Sequence, residues 1–303
     1  AVMMILSIIQ MPAWAADGDN PTGTDESIEL TDAGGDDSGG TDDNEIESLA
    51  GGGASPFPAA ESGVITLTED ITVTASQWPV TDTVTIDLNG RKITMSDGGT
   101  VTVPEGKTLT IQNGTIEANN YPNGTTSVFS AEKDASIVVD RITMTTNGAA
   151  LFPAGSAAAV TVTSSNITAG TYVVGTNADT RDGTLIYSNN VQITLENSTF
   201  DTTGHQNNDK DTCTVMINVP GTLKIDRCQV TGHRQAVMVR GGEAQITNST
   251  ITLTDTYSGG DSDNYDNANW GAGNNVPMAA LLVGNRSSAY KFPATCTLEG
   301  TTI

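Results

Sequence analysis

A short pattern recurs along this chain and constrains its fold more than any other feature. The stretch LTIQNGTI (residues 109–116) shows the pattern. Two apolar residues are separated by one other residue; four turn-forming residues come next, and a third apolar residue ends the unit. We call the second apolar residue of each unit its key. The pattern occurs eight times, with keys at Leu88, Ile111, Val139, Val162, Leu195, Ile225, Ile246 and Leu298.

The spacing of these units predicts the fold class. Neighbouring keys are 21 to 52 residues apart, a repeat length typical of solenoids, in which no unit can bury its apolar face alone. Apolar residues alternate with Thr or Asp, which indicates strands, and no stretch keeps a helical period. With two or three short strands per unit, the sequence predicts an all-β, single-stranded parallel β-helix of about 8–10 coils. Phe129 and Phe152 each precede a key by ten residues, so we expect their rings to stack.

A tight turn is predicted two residues after each key. Gly and Asn tolerate positive φ, and the column reads Gly90, Asn113, Arg141, Ser164, Asn197, Arg227, Asn248 and Gly300. Turns that carry Asn in register resemble those of the right-handed parallel β-helix proteins of the pectate-lyase-like superfamily. The resemblance covers residues 63–303, and it implies right-handed coils.

The residues before the repeats predict export. Residues 1–16 form an apolar run that ends at Ala13-Trp14-Ala15, a cleavage pattern typical of a signal peptide, here a partial one. Twelve acidic residues lie between Asp17 and Glu47, so residues 17–62 are predicted to be an acidic disordered linker. We expect a secreted or cell-surface, bacterial-type protein. Its β-helix domain, residues 63–303, stops on an apolar slot, so we expect it to be truncated at the C-terminus.

The charge of the chain limits its partners. A formal net charge of −23 argues against nucleic acid and anionic membranes, which require a basic footprint. We expect a monomer without a transmembrane segment in the mature fragment, and a polysaccharide or cell-surface glycan as partner. Cys213, Cys228 and Cys296 are interpreted as buried small residues rather than a disulfide scaffold.

Enzymes of the resembled superfamily cleave acidic polysaccharides, and their motifs can be looked for here. The Gly-His-Gly motif of polygalacturonase-like members is missing, because Gly204-His205 is followed by Gln206 and Gly232-His233 by Arg234. Pectate lyases bind calcium between carboxylates on adjacent coils, while Arg or Lys removes a proton. The column one residue after each key, predicted to point outward, reads Asn89, Gln112, Asp140, Thr163, Glu196, Asp226, Thr247 and Glu299. The catalytic candidates are therefore Glu196 and Asp226 on consecutive repeats, with Lys224, His233, Arg234 and Arg240 nearby.

The outward column four residues after each key is rich in threonine. It reads Lys92, Thr115, Thr143, Asn166, Thr199, Gln229, Thr250 and Thr302. Threonine suits exposed strands, and ordered threonine arrays also occur in ice-binding solenoids. Because the coils differ so much in length, we do not expect a flat, regular face.

The longest interruption of the repeat, residues 252–278, offers a second candidate site. Tyr257, Tyr265 and Trp270 are candidates for stacking on a sugar, and Asp261, Asp263 and Asp266 are candidate calcium ligands. Loops of this length are often functional. The sequence thus favours a non-catalytic, adhesin-like or structural surface module that requires no cofactor. It leaves open the alternative of a calcium-dependent polysaccharide lyase.

Overall fold

The computed structural model of the chain is an all-β solenoid built mainly from short parallel strands. It describes residues 55–121, 126–181, 184–202, 213–233, 235–254, 279–284 and 291–303. The predicted signal peptide and most of the predicted linker lie outside these ranges. Within them there is no α-helix, and the one helical element is a 3₁₀ turn, η1, at Ala75–Gln77.

The strands are short because each coil turns sharply. In chain order they are β1 (Val64–Thr66), β2 (Ile71–Val73), β3 (Val84–Asp87), β4 (Lys92–Met95), β5 (Val101–Val103), β6 (Thr108–Ala118), β7 (Ser127–Ala131), β8 (Ser136–Thr146), β9 (Ala149–Pro153), β10 (Ala159–Thr163), β11 (Asn166–Thr168), β12 (Val174–Gly175), β13 (Ala178–Arg181), β14 (Thr184–Tyr187), β15 (Val191–Glu196), β16 (Thr199–Asp201), β17 (Val215–Ile217), β18 (Gly221–Asp226), β19 (Gln229–Gly232), β20 (Gln235–Val239), β21 (Gly242–Thr247), β22 (Thr250–Leu253), β23 (Ala279–Val283) and β24 (Ala294–Glu299).

Successive coils stack their strands in register, which forms three faces. Face 1 contains β1, β3, the first halves of β6 and β8, β10, β15, β18, β21 and β24. Face 2 contains β2, β4, the second halves of β6 and β8, β11, β16, β19 and β22. Face 3 contains β5, β7, β9, β12, β17, β20 and β23, and the antiparallel pair β13–β14 stands apart. Nine successive strands in the described part of face 1 confirm a parallel β-helix of the predicted size.

The predicted key residues form one column, with one correction. Each key from Ile111 to Leu298 pairs with the next one along face 1. The first key, Leu88, was wrong, because Ile86 pairs with Ile111. The third apolar residues form the matching column of face 2, in which Ile93 pairs with Ile116.

Two extra residues in the first turn explain that error. Between the paired positions Asp87↔Gln112 and Lys92↔Thr115, the earlier coil has four residues and the later coil has two. Leu88 lies in this longer turn and is fully buried. A Cβ atom on Gly114 would lie 2.4 Å from the Leu88 Cβ atom, so only glycine fits beside the insertion.

The predicted turn column is confirmed, and it forms the bend between faces 1 and 2, which we call the corner. All eight of its residues have positive φ, between 49° and 78°. This conformation costs an L-residue about 1–2 kcal/mol. Arg141, Ser164 and Arg227 nevertheless adopt it, because every coil must bend at the same place for its neighbours to stay in register.

A ladder of small side chains lies on the inner side of the corner and joins neighbouring coils. The Ser198 hydroxyl accepts a hydrogen bond from the Ser165 N–H (3.0 Å) and donates to the Glu196 carbonyl (2.6 Å). Ser249 does the same with the Cys228 N–H (3.0 Å) and the Thr247 carbonyl (2.7 Å). The hydroxyls thus satisfy backbone groups that strand pairing leaves unpaired at the bend.

Cys228 occupies a position in this ladder that serine fills in the neighbouring coils. Its thiol donates to the Asp226 carbonyl at 3.3 Å. Burial raises the pKa of the thiol to about 11, which disfavours the reactive thiolate. No described cysteine forms a disulfide. Cys213 is also buried, as expected for a small interior residue, whereas Cys296 is only half-buried.

Face 3 contains the predicted third set of strands, but not the predicted ring stack. Phe129 pairs with Leu151, whereas Phe152 pairs with Ser130. A shift of one residue turns a side chain to the other side of a sheet, so the two rings do not meet. Phe129 instead packs edge-to-face on Trp78, with ring centroids 4.9 Å apart, and Trp78 also contacts Phe57 at 5.4 Å.

Candidate functional site

The predicted catalytic pair lies on neighbouring strands of face 1. Glu196 ends β15 and pairs directly with Asp226 at the end of β18, so the predicted register is confirmed. Both belong to an outward column beside the corner, which we call the corner column. Its members are Thr66, Asp87, Gln112, Asp140, Thr163, Glu196, Asp226, Thr247 and Glu299. Asp87 takes the place predicted for Asn89, because of the insertion at Leu88.

Asp226 is already surrounded by partners from its own protein. Its carboxylate accepts hydrogen bonds from the Thr247 hydroxyl (2.7 Å) and the Asn248 side-chain amide (3.1 Å), both in the next coil. The neighbouring Arg227 guanidinium forms an ion pair with it. These hydrogen bonds, with Arg227 nearby, hold the pKa of Asp226 below its usual value. The carboxylate is thus ionised and engaged, rather than open to a metal ion or a substrate.

The same arrangement recurs at Asp140. Its carboxylate accepts a hydrogen bond from the Thr163 hydroxyl of the next coil (2.7 Å) and pairs with the Arg141 guanidinium at 2.5 Å. The repetition at two places along the stack shows that carboxylate, arginine and threonine form a structural unit of the corner.

Asp87, which pairs with Thr66 at the first end of the column, has a different set of donors. It accepts hydrogen bonds from Gln112 (3.0 Å) and Asn113 (3.1 Å) in the next coil. Burial alone would raise the pKa of Asp87, but the hydrogen bonds from Asn113 and Gln112 outweigh it and lower the pKa.

Two asparagines of the turn column, Asn113 and Asn197, are hydrogen-bonded to arginines of the next coil. Arg141 donates from Nε to the side-chain Oδ1 of Asn113 at 2.6 Å, and Arg227 donates from Nε to the side-chain Oδ1 of Asn197 at 2.7 Å. Each arginine therefore binds its own coil's aspartate and the previous coil's asparagine. The three aspartates of the corner column are thus held by side chains of their own coil or of the next coil.

The other described catalytic candidates lie at three different faces, and only Lys224 shares the outward side of face 1 with Asp226. Lys224 is exposed and lies two residues before Asp226, while His233 follows β19 at the end of a face 2 strand. Arg240 follows β20 in face 3, is only 1% exposed, and donates its backbone N–H to the Ile217 carbonyl. Arg240 is near Asp226 in sequence but lies on another face, because the chain has turned by then.

Several candidates lie outside the described residues: Arg234, the aromatic residues Tyr257, Tyr265 and Trp270, and the acidic residues Asp261, Asp263 and Asp266. Their roles stay predictions. Among the residues that the structure does describe, no three His, Cys, Asp or Glu side chains are grouped closely enough to hold a metal ion.

Face 2 carries a polar surface that sequence reasoning recognised only in part. The column four residues after each key is continuous from Lys92 to Thr302. Beside it runs a second column, two residues further on, that was missed: Thr72, Thr94, Glu117, Thr145, Thr168, Asp201, Thr231 and Thr252. We call the two columns together the threonine array, since threonine occupies eleven of their sixteen positions.

The variable coil lengths do not interrupt the register of this array. The length differences fall outside the paired strands of face 2: two residues lie in the corner at Leu88, and the others lie in the segments that lead to face 3 and back to face 1. The strands therefore keep their register whatever the length of the coil. The second column could have been found by extending each repeat by two residues.

No protein-family model, no curated protein and no solved structure matches this chain. In the described residues, none of the elements is a helix with the length and apolar character needed to cross a bilayer.

Proposed function

We propose that this β-helix is a non-catalytic, adhesin-like or structural module of an exported, cell-surface protein, and that it binds carbohydrate or another surface. One observation carries the proposal. The carboxylates best placed for chemistry, Asp226 and its counterpart Asp140, are engaged by side chains of their own coil and the next. The signal-like residues 1–16 support export, and the Asn-bearing corners support membership of the pectate-lyase-like superfamily with right-handed coils.

The polysaccharide lyase remains the alternative, and the geometry favours it less. A lyase must hold calcium against the substrate's acidic group and place a base at the proton to be removed, and this positioning supplies much of the rate. In the corner column, Glu196 and Asp226 have Thr163 and Thr247 as their outer neighbours. A calcium ion there would meet two carboxylates and would have to displace Arg227 from one of them.

An ultraviolet assay for the unsaturated product separates the two functions. We expect no turnover of polygalacturonate by the full chain, either with calcium or with a chelator. Calcium-dependent turnover that Asp226→Ala abolishes would establish the lyase. Asp140→Ala is the matched control, because Asp140 has the same hydrogen-bonding arrangement without a paired carboxylate in the adjacent coil.

Binding is tested separately with immobilised glycans. We expect the full chain to be retained on at least one polysaccharide and its affinity to be unchanged by Asp226→Asn. If Trp270→Ala abolishes retention, the predicted loop aromatics carry the binding. A chain that binds no glycan and no cell surface would contradict the proposed function.

A further inference from the structure

The threonine array differs from the corner column in the availability of its polar groups. In the corner column, side chains bond one another from coil to coil. In the described structure, no threonine hydroxyl of the array donates to or accepts from another group of the chain. Thr143, Thr168 and Thr250 are exposed, and Thr145 and Thr199 are half-buried. The array therefore presents unused hydroxyl and methyl groups to a partner.

The array is also close to electrically neutral, although the chain is strongly acidic. Its charged residues are Lys92, Glu117 and Asp201, and the first two form an ion pair at 3.0 Å. The whole chain carries a formal charge of −23, which repels polyanions. This surface thus suits an uncharged partner that hydrogen-bonds through hydroxyl groups.

The geometry of the array matches an extended polymer. Neighbouring strands of a sheet are ~4.8 Å apart, which is close to the length that one sugar adds to an extended β-linked glycan. Eight coils in register span roughly 34 Å at this spacing. Contacts that are weak singly become strong when many are made along one chain.

We propose that the threonine array binds an extended, uncharged polysaccharide that lies along the axis of the solenoid, with one sugar for each coil. This inference rests on the proposed glycan-binding function and names its surface and its ligand class. The methyl groups pack against the sugar rings, and the hydroxyls exchange hydrogen bonds with those of the sugar.

Retention of the full chain on insoluble cellulose and chitin tests the proposal, with immobilised polygalacturonate as the anionic comparison. The double variant Thr145→Val/Thr168→Val removes two adjacent hydroxyls and keeps the shape and strand preference of threonine. We expect it to weaken retention on the neutral polymer severalfold. The double variant Thr145→Lys/Thr168→Lys adds bulk and should weaken it at least about tenfold.

The matched control is Thr161→Val/Thr194→Val, and its lysine counterpart, on the outward side of face 1. These threonines are also adjacent in register, and both are half-buried, as Thr145 is. We expect less than about a twofold change in retention on the neutral polymer. Circular dichroism and thermal unfolding check that each variant keeps the fold.

The outcomes distinguish this inference from the proposed function. Retention of wild type and array variants alike on the neutral polymer would overturn the array as the binding surface and leave the module's glycan-binding function standing. Retention on polygalacturonate alone would overturn the neutral ligand. Ice-crystal shaping without retention on any of these polymers would assign the array to ordered water and overturn the polysaccharide ligand.

Discussion

The two ends of the described β-helix cover their interior side chains to different degrees. In the first coils, Trp78 is 4% exposed and packs between Phe57 and Phe129. In the last coil, Leu298 occupies the key column but is only half-buried, and Ile303 is 58% exposed. One coil earlier, the key Ile246 is fully buried.

The same repeat pattern therefore gives full burial only where something covers the coil on both sides along the axis. In the first coils, the aromatic residues provide the cover. In the interior of the stack, the neighbouring coils provide it, as in other solenoids whose stability depends on contacts between nearest neighbours.

The largest difference between the two ends is expected from a charge in the key column. Ile111→Asp places a carboxylate in a fully buried position, so we expect a loss of several kcal/mol in the free energy of unfolding. Leu298→Asp should cost at least ~2 kcal/mol less, because water already reaches that position. Denaturant unfolding of both variants measures the difference. Equal losses would show that water is excluded equally from both positions, which would contradict the comparison.

The second-largest loss in the free energy of unfolding is expected when the aromatic side chains that cover the first coils are removed. Trp78→Ala removes the ring that contacts Phe57 and Phe129 and donates to the Met95 sulfur, and we expect a loss of about 3–5 kcal/mol. Trp78→Phe is the control, since it keeps an aromatic ring and should cost clearly less. A loss below ~1 kcal/mol for Trp78→Ala would contradict the covering role.

The inner ladder of the corner allows a finer comparison. Ser198→Ala leaves the buried Ser165 N–H without its acceptor, which should cost about 1–3 kcal/mol. Thr301→Ala removes the corresponding hydroxyl of the last coil, which is half-exposed and accepts a longer bond of 3.4 Å from the Ser249 N–H. We expect less than ~1 kcal/mol there, as measured by thermal unfolding. The reverse order would contradict the assignment of the ladder as a joint between covered coils.

The smallest expected effect concerns pH. The folded-state pKa of Asp87 is lowered, so its ionised form stabilises the fold above the unfolded-state pKa near 4. This stabilisation is lost as the pH falls through the lowered folded-state pKa. Asp87→Asn should remove that part of the acid sensitivity and cost less than ~1 kcal/mol at pH 7, because the site is half-exposed. Stability curves of wild type and variant that stay parallel below pH 4 would contradict this.

Much of the fold could be predicted from the sequence, because coils that stack in register need apolar residues at constant spacing. The five-residue step from key to third apolar residue reflects two strands joined by a bend of constant shape. The bend also explains why Asn113 and Gly300 share a column with Arg141, since all have positive φ.

The predictions for Leu88 and Phe152 were wrong because each residue fits the repeat pattern in sequence without occupying the predicted place in the stack. Leu88 is apolar and buried, so a turn longer by two residues still matched the five-residue step. Phe152 was placed by counting back to a key, although the connecting segments differ by a residue in register. Arg240 is close to Asp226 in sequence but lies on another face.

The corner column shows a different limit of sequence reasoning. Its acidic residues were found by alternation alone, and Glu196 does pair with Asp226. Whether a carboxylate is open or engaged depends on side chains of the next coil, such as Thr247 and Asn248. A single repeat does not contain that information.

The alignment of backbone hydrogen bonds with the axis of the stack has a mechanical consequence. The strands run across the axis of the stack. Tension along the axis therefore pulls each hydrogen bond between two coils along its own length, and the coils separate one after another. Most coils contain 21 to 33 residues, and each released coil would lengthen the chain by about 7–12 nm at ~3.3–3.6 Å per residue. A protein anchored to a surface by such a stack would extend in discrete steps under load and absorb work before its attachment fails.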